Sequence, residues 1–115
     1  MIKQRCLFQF AESQIAYSLF RREGFEPALC TPKRLVLLHG AGVAGELTWT
    51  YIVNYLKHWD EVLVPDLLGM GESFFESSDH LGFSIEDICH SLFGLLTHEA
   101  WHEFDLVGYS LGGLV

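Results

Sequence analysis

The sequence predicts an α/β fold, an antiparallel hairpin followed by a parallel β-α-β-α-β segment. Three observations carry this. Residues 35–38 (LVLL), 61–64 (EVLV) and 105–109 (DLVGY) are short, largely apolar runs of the kind that strands buried on both faces show. Two stretches with apolar residues at helical spacing separate these runs. Two segments rich in β-formers precede the first of them. Strands alternating with helices imply a parallel sheet with helices packed against it.

Each element has its own signal. Residues 6–10 (CLFQF) and 15–20 (IAYSLF) form the hairpin, with the polar AESQ between them as its turn. Residues 21–34 carry Gly24, Pro27 and Pro32 among charges and read as a surface loop. After the strand at 35–38 comes a glycine-rich turn at 40–45. A helix from about 47 to 58 follows, with Trp49, Ile52, Val53 and Leu56 on one face. The strand at 61–64 leads into a loop containing Pro65, Gly69 and Gly71. Ser84 and Asp87 make a capping-box-like S-x-x-D ahead of a second helix. Ile85, Ile88, Leu92, Leu95 and Leu96 keep helical spacing along it. A third buried strand, 105–109, runs into Ser110, and Val115 falls about one turn into the next helix.

Composition narrows the function classes. A chain of 115 residues allows one domain at most, and its 50% hydrophobic content with nine Phe, three Trp and four Tyr supplies a core. The formal net charge of −8, with no basic stripe, argues against nucleic-acid or anionic-membrane binding. Cys6, Cys30 and Cys89 are odd in number and widely spaced, so free thiols in a reducing compartment are expected. No signal peptide is visible after Met1, and no uncharged apolar run approaches the roughly 20 residues of a membrane helix. The expected location is cytoplasmic.

The chemistry-bearing motif is Gly108-Tyr109-Ser110-Leu111-Gly112, a G-x-S-x-G followed by Gly113. A serine on a sharp strand-to-helix turn needs a strained backbone. Side chains two residues to either side would collide with neighbouring backbone, which calls for glycine at both places. The turn lifts the hydroxyl above the sheet and leaves the Leu111 N–H at a helix start, where it can face a developing oxyanion. The strand leading straight into the motif is the context such a turn requires.

With these residues in view, nearly the whole chain resembles the α/β-hydrolase family, in its N-terminal portion. LVLLHGAG at 35–42 is similar to the family's third strand and His-Gly oxyanion segment. VPDLLGMGES at 64–73 is similar to its P-D-x-x-G-x-G-x-S loop, and LVGYSLGG at 106–113 to its nucleophile elbow. The resemblance implies Ser110 as nucleophile, with the N–H groups of Ala41 and Leu111 as the oxyanion hole. It implies structural roles for His39, Gly40, Asp66, Gly69, Gly71, Ser73, Gly108 and Gly112. It implies no cofactor and a small-molecule substrate, and leaves the oligomeric state open.

A serine hydroxyl needs a base to become a nucleophile. In the family the triad acid and base follow the serine in the chain. All six histidines precede Ser110, and the resemblance assigns none of them as base. The 115 residues therefore read as a partial domain lacking the triad Asp and His, inactive on its own. They also read as poorly soluble, because the family's next strand is missing beside 105–109.

Other motifs compete. Gly40, Gly42 and Gly45 match G-x-G-x-x-G after a strand, and Asp66 follows at the distance of a dinucleotide-binding fingerprint. Against it stand the preceding hairpin, His39 at the strand end, and two motifs left unexplained. Glu46, in place of a lysine, rejects a P-loop. His98-Glu99-Ala100-Trp101-His102 matches the helical zinc pattern H-E-x-x-H but has no third ligand placed downstream, and reads as a polar helix end. Cys89 reads as helix packing, and Asp60 and Glu61 as solvated surface. The expected activity is hydrolysis of an ester or related carbonyl through an acyl-enzyme at Ser110, with no metal. A non-catalytic truncated paralogue is the alternative from a different class.

Overall fold

The computed structural model describes residues 1–26, 31–42, 44–75 and 84–115. Strands β1 (Ile2–Phe10) and β2 (Ser13–Arg21) form the hairpin, paired antiparallel from Ile2↔Arg21 to Phe10↔Ser13. Both are longer than the apolar runs suggest, because the hairpin turns on Ala11 and Glu12 alone, with Ala11 at φ 51°. β3 (Arg34–Leu38), α1 (Gly45–Val53) and β4 (Glu61–Pro65) follow, then a two-residue strand β5 (Phe74–Phe75), α2 (Ile85–His98), β6 (Asp105–Gly108) and α3 (Leu111–Leu114). The short β5, which pairs with Ser13 and Gln14 at the start of β2, has no signal in the sequence. Cys30 lies outside the described residues.

The main sheet runs β1-β2-β4-β3-β6. β4 is antiparallel to β2 and parallel to β3, and β3 is parallel to β6. β3 and β4 are buried on both faces, as their continuous apolar runs require. One apolar cluster lies under α2, where Ile88, Leu92 and Leu95 meet Ile15, Val36, Leu38 and Leu63. The other lies on the α1 side, where Val53 meets Leu35, Leu37, Val62 and Val64.

Three expectations need correction. α1 ends at Val53, not near residue 58: Asn54 caps it, and the chain turns through 54–58 before β4. Of its expected inner face, Val53 is buried, while Ile52 is 41% exposed. β6 is exposed along all four residues, because among the described residues β3 alone pairs with it. Glu61 is not solvated surface. It is 2% exposed and holds Arg21 at 2.9 Å and Arg34 at 3.1 Å. Both arginines are its direct partners across the sheet, so this buried carboxylate fixes the register of β2, β4 and β3 at one end.

α2 begins with the expected capping box: the Ser84 hydroxyl accepts from the Asp87 N–H, and the Asp87 carboxylate accepts from the Ser84 N–H. At its other end the buried Tyr17 hydroxyl donates to Glu99 Oε1 at 2.5 Å, tying the helix to β2. Burial, then the bond to Glu99 and its charge, push the Tyr17 hydroxyl far above its usual 10.0.

Candidate active site

The parallel strands β3, β4 and β6 point their C-terminal ends the same way, and the three sequence motifs sit there. After β6 the chain reverses at Ser110, which takes φ 54°, ψ −114°. A left-handed φ at a serine is strained by about 1–3 kcal/mol and persists only where its surroundings enforce it. Here they do. The Tyr109 N–H bonds the Leu38 carbonyl of β3 at 3.0 Å. The Gly112 and Gly113 N–H groups close onto the Tyr109 and Ser110 carbonyls at 3.0 and 2.9 Å.

The flanking glycines have a steric cause. A Cβ on Gly108 would lie 2.4 Å from the Gly112 carbonyl oxygen, and one on Gly112 would lie 2.6 Å from that of Leu38. Both are collisions with backbone. Ser110 is exposed at this turn, and its side chain makes no capping bond to α3. Leu111 is the first residue of α3, so its N–H is one of the donors a helix leaves unpaired at its start.

The turn after β3 packs against this elbow. A Cβ built on Gly40 would lie 3.3 Å from Ser110 Cβ and 3.2 Å from the Tyr109 ring. Two motifs far apart in sequence are thereby brought together. His39 is fully buried beneath them. Its Nε2 accepts from the Leu67 N–H at 2.9 Å, and its Nδ1 lies 2.5 Å from the Gly40 carbonyl. With both ring nitrogens engaged, His39 has none left to take a proton from Ser110. Ala41 is exposed in the turn that follows.

The loop after β4 is organised by Asp66, which is fully buried. Its Oδ1 accepts from the Gly45 N–H at 2.9 Å, at the start of α1. Its Oδ2 accepts from Arg5 at 2.6 Å and from the Glu72 N–H at 3.0 Å. Gly71, at φ 55°, passes so close that a Cβ there would lie 2.5 Å from Oδ2; Gly69 takes φ 78° at the exposed turn. Ser73 is buried, donating to the Asp66 carbonyl at 2.7 Å and accepting from the Ala16 N–H at 2.8 Å. Arg5 carries no local signal of this role. It sits on an edge strand, where a lone arginine reads as solvated, and its partners lie at positions 18, 66 and 72.

This network overturns the dinucleotide reading. The pyrophosphate would need the N–H groups at the start of α1, but the Asp66 carboxylate already occupies that of Gly45 and would repel an anion. Asp66 is also buried, with both oxygens bonded, and cannot reach a ribose. The zinc pattern fails on geometry as well. α2 ends at His98 and the chain turns at Ala100 (φ 59°), so His102 lies outside the helix. The His98 ring stacks on Phe8 at 4.8 Å. Cys89 lines an apolar cleft of about 190 Å³ beside Leu92, Phe104, Leu106 and Val115, in keeping with packing. No helix among the described residues is long and apolar enough to cross a membrane.

Comparison with known proteins agrees with the fold. The model of the alpha/beta hydrolase family matches residues 35–115. A search of curated proteins finds no match. Among solved structures, a candidate lipase from Acinetobacter baumannii AYE superposes with a TM-score of 0.78 at 24% identity, over 97% of this chain and 34% of that one. Epoxide hydrolase A from Mycobacterium thermoresistibile superposes with a TM-score of 0.77 at 17% identity, over 98% and 33%. A candidate epoxide hydrolase from Pseudomonas aeruginosa gives 0.77 at 18%, over 94% and 33%. The chain thus spans about a third of the length of these structures.

Proposed function

The chain belongs to the alpha/beta hydrolase family, and from that premise we propose that it is part of a single serine hydrolase domain acting on an ester or related carbonyl of a small-molecule substrate. Ser110 gives its proton to the base and attacks the carbonyl carbon; the ester C–O bond breaks, the alcohol leaves with that proton, and water then hydrolyses the acyl-enzyme to the acid and free Ser110. The Leu111 and Ala41 N–H groups receive the oxyanion that develops at each step. The observation that carries this reading is the strained, exposed serine at the end of β6, held against Gly40. No cofactor enters the proposed reaction.

The general base is not supplied by His39, whose ring nitrogens are committed. On this reading the nucleophile and oxyanion donors lie among the described residues and the base outside them, and residues 1–115 alone are expected to be inactive. The test is hydrolysis of p-nitrophenyl esters by the full-length protein. Turnover should fall about 10⁴-fold or more in Ser110→Ala. Full activity in that variant, or turnover of epoxides but of no ester, would reject the proposal.

A further inference from the structure

We propose that Arg5 is a positioning residue: from the far side of the sheet it holds the Asp66 carboxylate, and through it the connection that packs against Ser110. The inference rests on the serine-nucleophile reading and adds to it a group remote from the reacting atoms. Among the described residues the sheet runs β1-β2-β4-β3-β6, with Arg5 on one outer strand and Ser110 just past the other. The register sets Arg5 opposite Ser18, and Ser18 opposite Val64. These three form one row across the sheet, and Asp66 lies two residues past Val64, just beyond the end of β4. The guanidinium spans that row. Its Nη1 donates to Ser18 Oγ at 3.0 Å, and its Nη2 donates to Asp66 Oδ2 at 2.6 Å and to Glu72 Oε1 at 3.1 Å.

The Asp66 side chain is fully buried, while that of Arg5 is 26% exposed. A buried carboxylate is costly unless a charge and hydrogen bonds compensate it, and Arg5 brings the charge in from the solvent side. Glu72, 72% exposed, is the weaker arm of the guanidinium. The other Asp66 oxygen, Oδ1, accepts from the Gly45 N–H at 2.9 Å. Gly45 opens α1, and its backbone sits so near the end of β4 that a Cβ there would lie 2.4 Å from the Pro65 carbonyl oxygen. Gly40 belongs to the same short connection between β3 and α1, and a Cβ on it would lie 3.3 Å from Ser110 Cβ. A chain of polar contacts, Arg5 to Asp66 to Gly45, thus runs from the outer hairpin to the connection beside the nucleophile. Without the guanidinium, Asp66 can turn toward solvent and release Gly45. The connection then loosens against Ser110, which lowers rate and leaves substrate binding in place.

Two substitutions in the full-length protein separate positioning from general stability. Arg5→Gln removes the charge, whereas Arg5→Lys returns it as a single ammonium that cannot span Ser18, Asp66 and Glu72 together. With p-nitrophenyl esters, Arg5→Gln should lower kcat about thirtyfold and keep KM within about twofold, and Arg5→Lys should recover all but about threefold of kcat. Amide hydrogen exchange followed by NMR supplies the second readout. In Arg5→Gln the Gly45 amide should exchange about tenfold faster, while those of Val36 and Leu63 in the central strands keep the parental rate. Equal acceleration at all three amides, or a parental kcat in Arg5→Gln, would overturn the proposal. A raised KM with unchanged kcat would overturn it too. Should Arg5→Gln not fold, Arg5→Lys decides: the threefold loss of kcat with faster exchange at Gly45 is expected, and parental values of both refute the assignment. Ester turnover that survives Ser110→Ala would instead remove the nucleophile reading, and exchange at Gly45 would still test the hold of Arg5 on Asp66.

Discussion

Gly112 and Gly113 are neighbours in the same short helix, and the structure assigns alanine opposite effects at the two. Replacing glycine by alanine in a helix ordinarily gains up to about 1 kcal/mol, by limiting the unfolded chain. At Gly113 the new Cβ would meet the Gly108 carbonyl oxygen at 3.5 Å, an ordinary contact. At Gly112 it would lie 2.6 Å from the Leu38 oxygen and 2.8 Å from that of His39. A comfortable carbon–oxygen separation is about 3.3 Å, so α3 and the end of β3 must part by roughly 0.7 Å. Neither obstacle is a side chain that can rotate away. Overpacking of this kind costs about 1–3 kcal/mol, and the backbone clash places Gly112→Ala at the upper end. After the helix gain, Gly112→Ala should lose about 2 kcal/mol and Gly113→Ala gain at most about 1. Urea denaturation of the full-length protein followed by circular dichroism reads both. A Gly112→Ala protein as stable as Gly113→Ala would refute the packing of the elbow against β3.

Three further outcomes follow from the same contacts. Asp66→Ala should cost about 2–4 kcal/mol, because it leaves the Gly45 and Glu72 N–H groups without their acceptor and takes from Arg5 its nearest carboxylate; an unchanged melting temperature would contradict this. The Tyr17 hydroxyl stays un-ionised in the fold, whereas the unfolded chain ionises near 10.0. Stability should therefore be full below pH 10 and fall above it by up to about 1.4 kcal/mol per pH unit. Tyr17→Phe should abolish that slope, and denaturant midpoints between pH 8 and pH 11.5 test it; an unchanged slope would show that another group is responsible. Val107→Lys, on the exposed β6, should raise the solubility of residues 1–115 expressed alone by discouraging edge-to-edge pairing. Static light scattering showing equal aggregation would refute that.

The parts of the fold legible in the sequence are those that one local rule decides. β3 and β4 are read from continuous apolar runs because both their faces are covered. α2 is read from Ser84 and Asp87 because a capping box is a four-residue pattern. The elbow is read from glycine spacing because the clashes at Gly108 and Gly112 arise from the turn itself. What escaped the sequence depends on distant partners. Glu61 looks like any surface acid until Arg21 and Arg34 arrive on neighbouring strands. Arg5 gains its role only when the loop of Asp66 and Glu72 folds over it. The apolar run of β6 suggests burial, but burial is a property of the covering elements, and among the described residues β6 has a neighbouring strand on one side only. The G-x-G-x-x-G of the β3–α1 turn misleads for a related reason: its spacing suits a phosphate, yet a carboxylate of the same chain already holds the N–H of Gly45.

The most direct measurement of the central claim is the site of covalent modification. The full-length protein, treated with a fluorophosphonate and digested, should yield one modified peptide in tandem mass spectrometry, with the adduct on Ser110. An adduct on Ser73 or elsewhere, or an enzyme that hydrolyses esters while Ser110 stays unmodified, would contradict it.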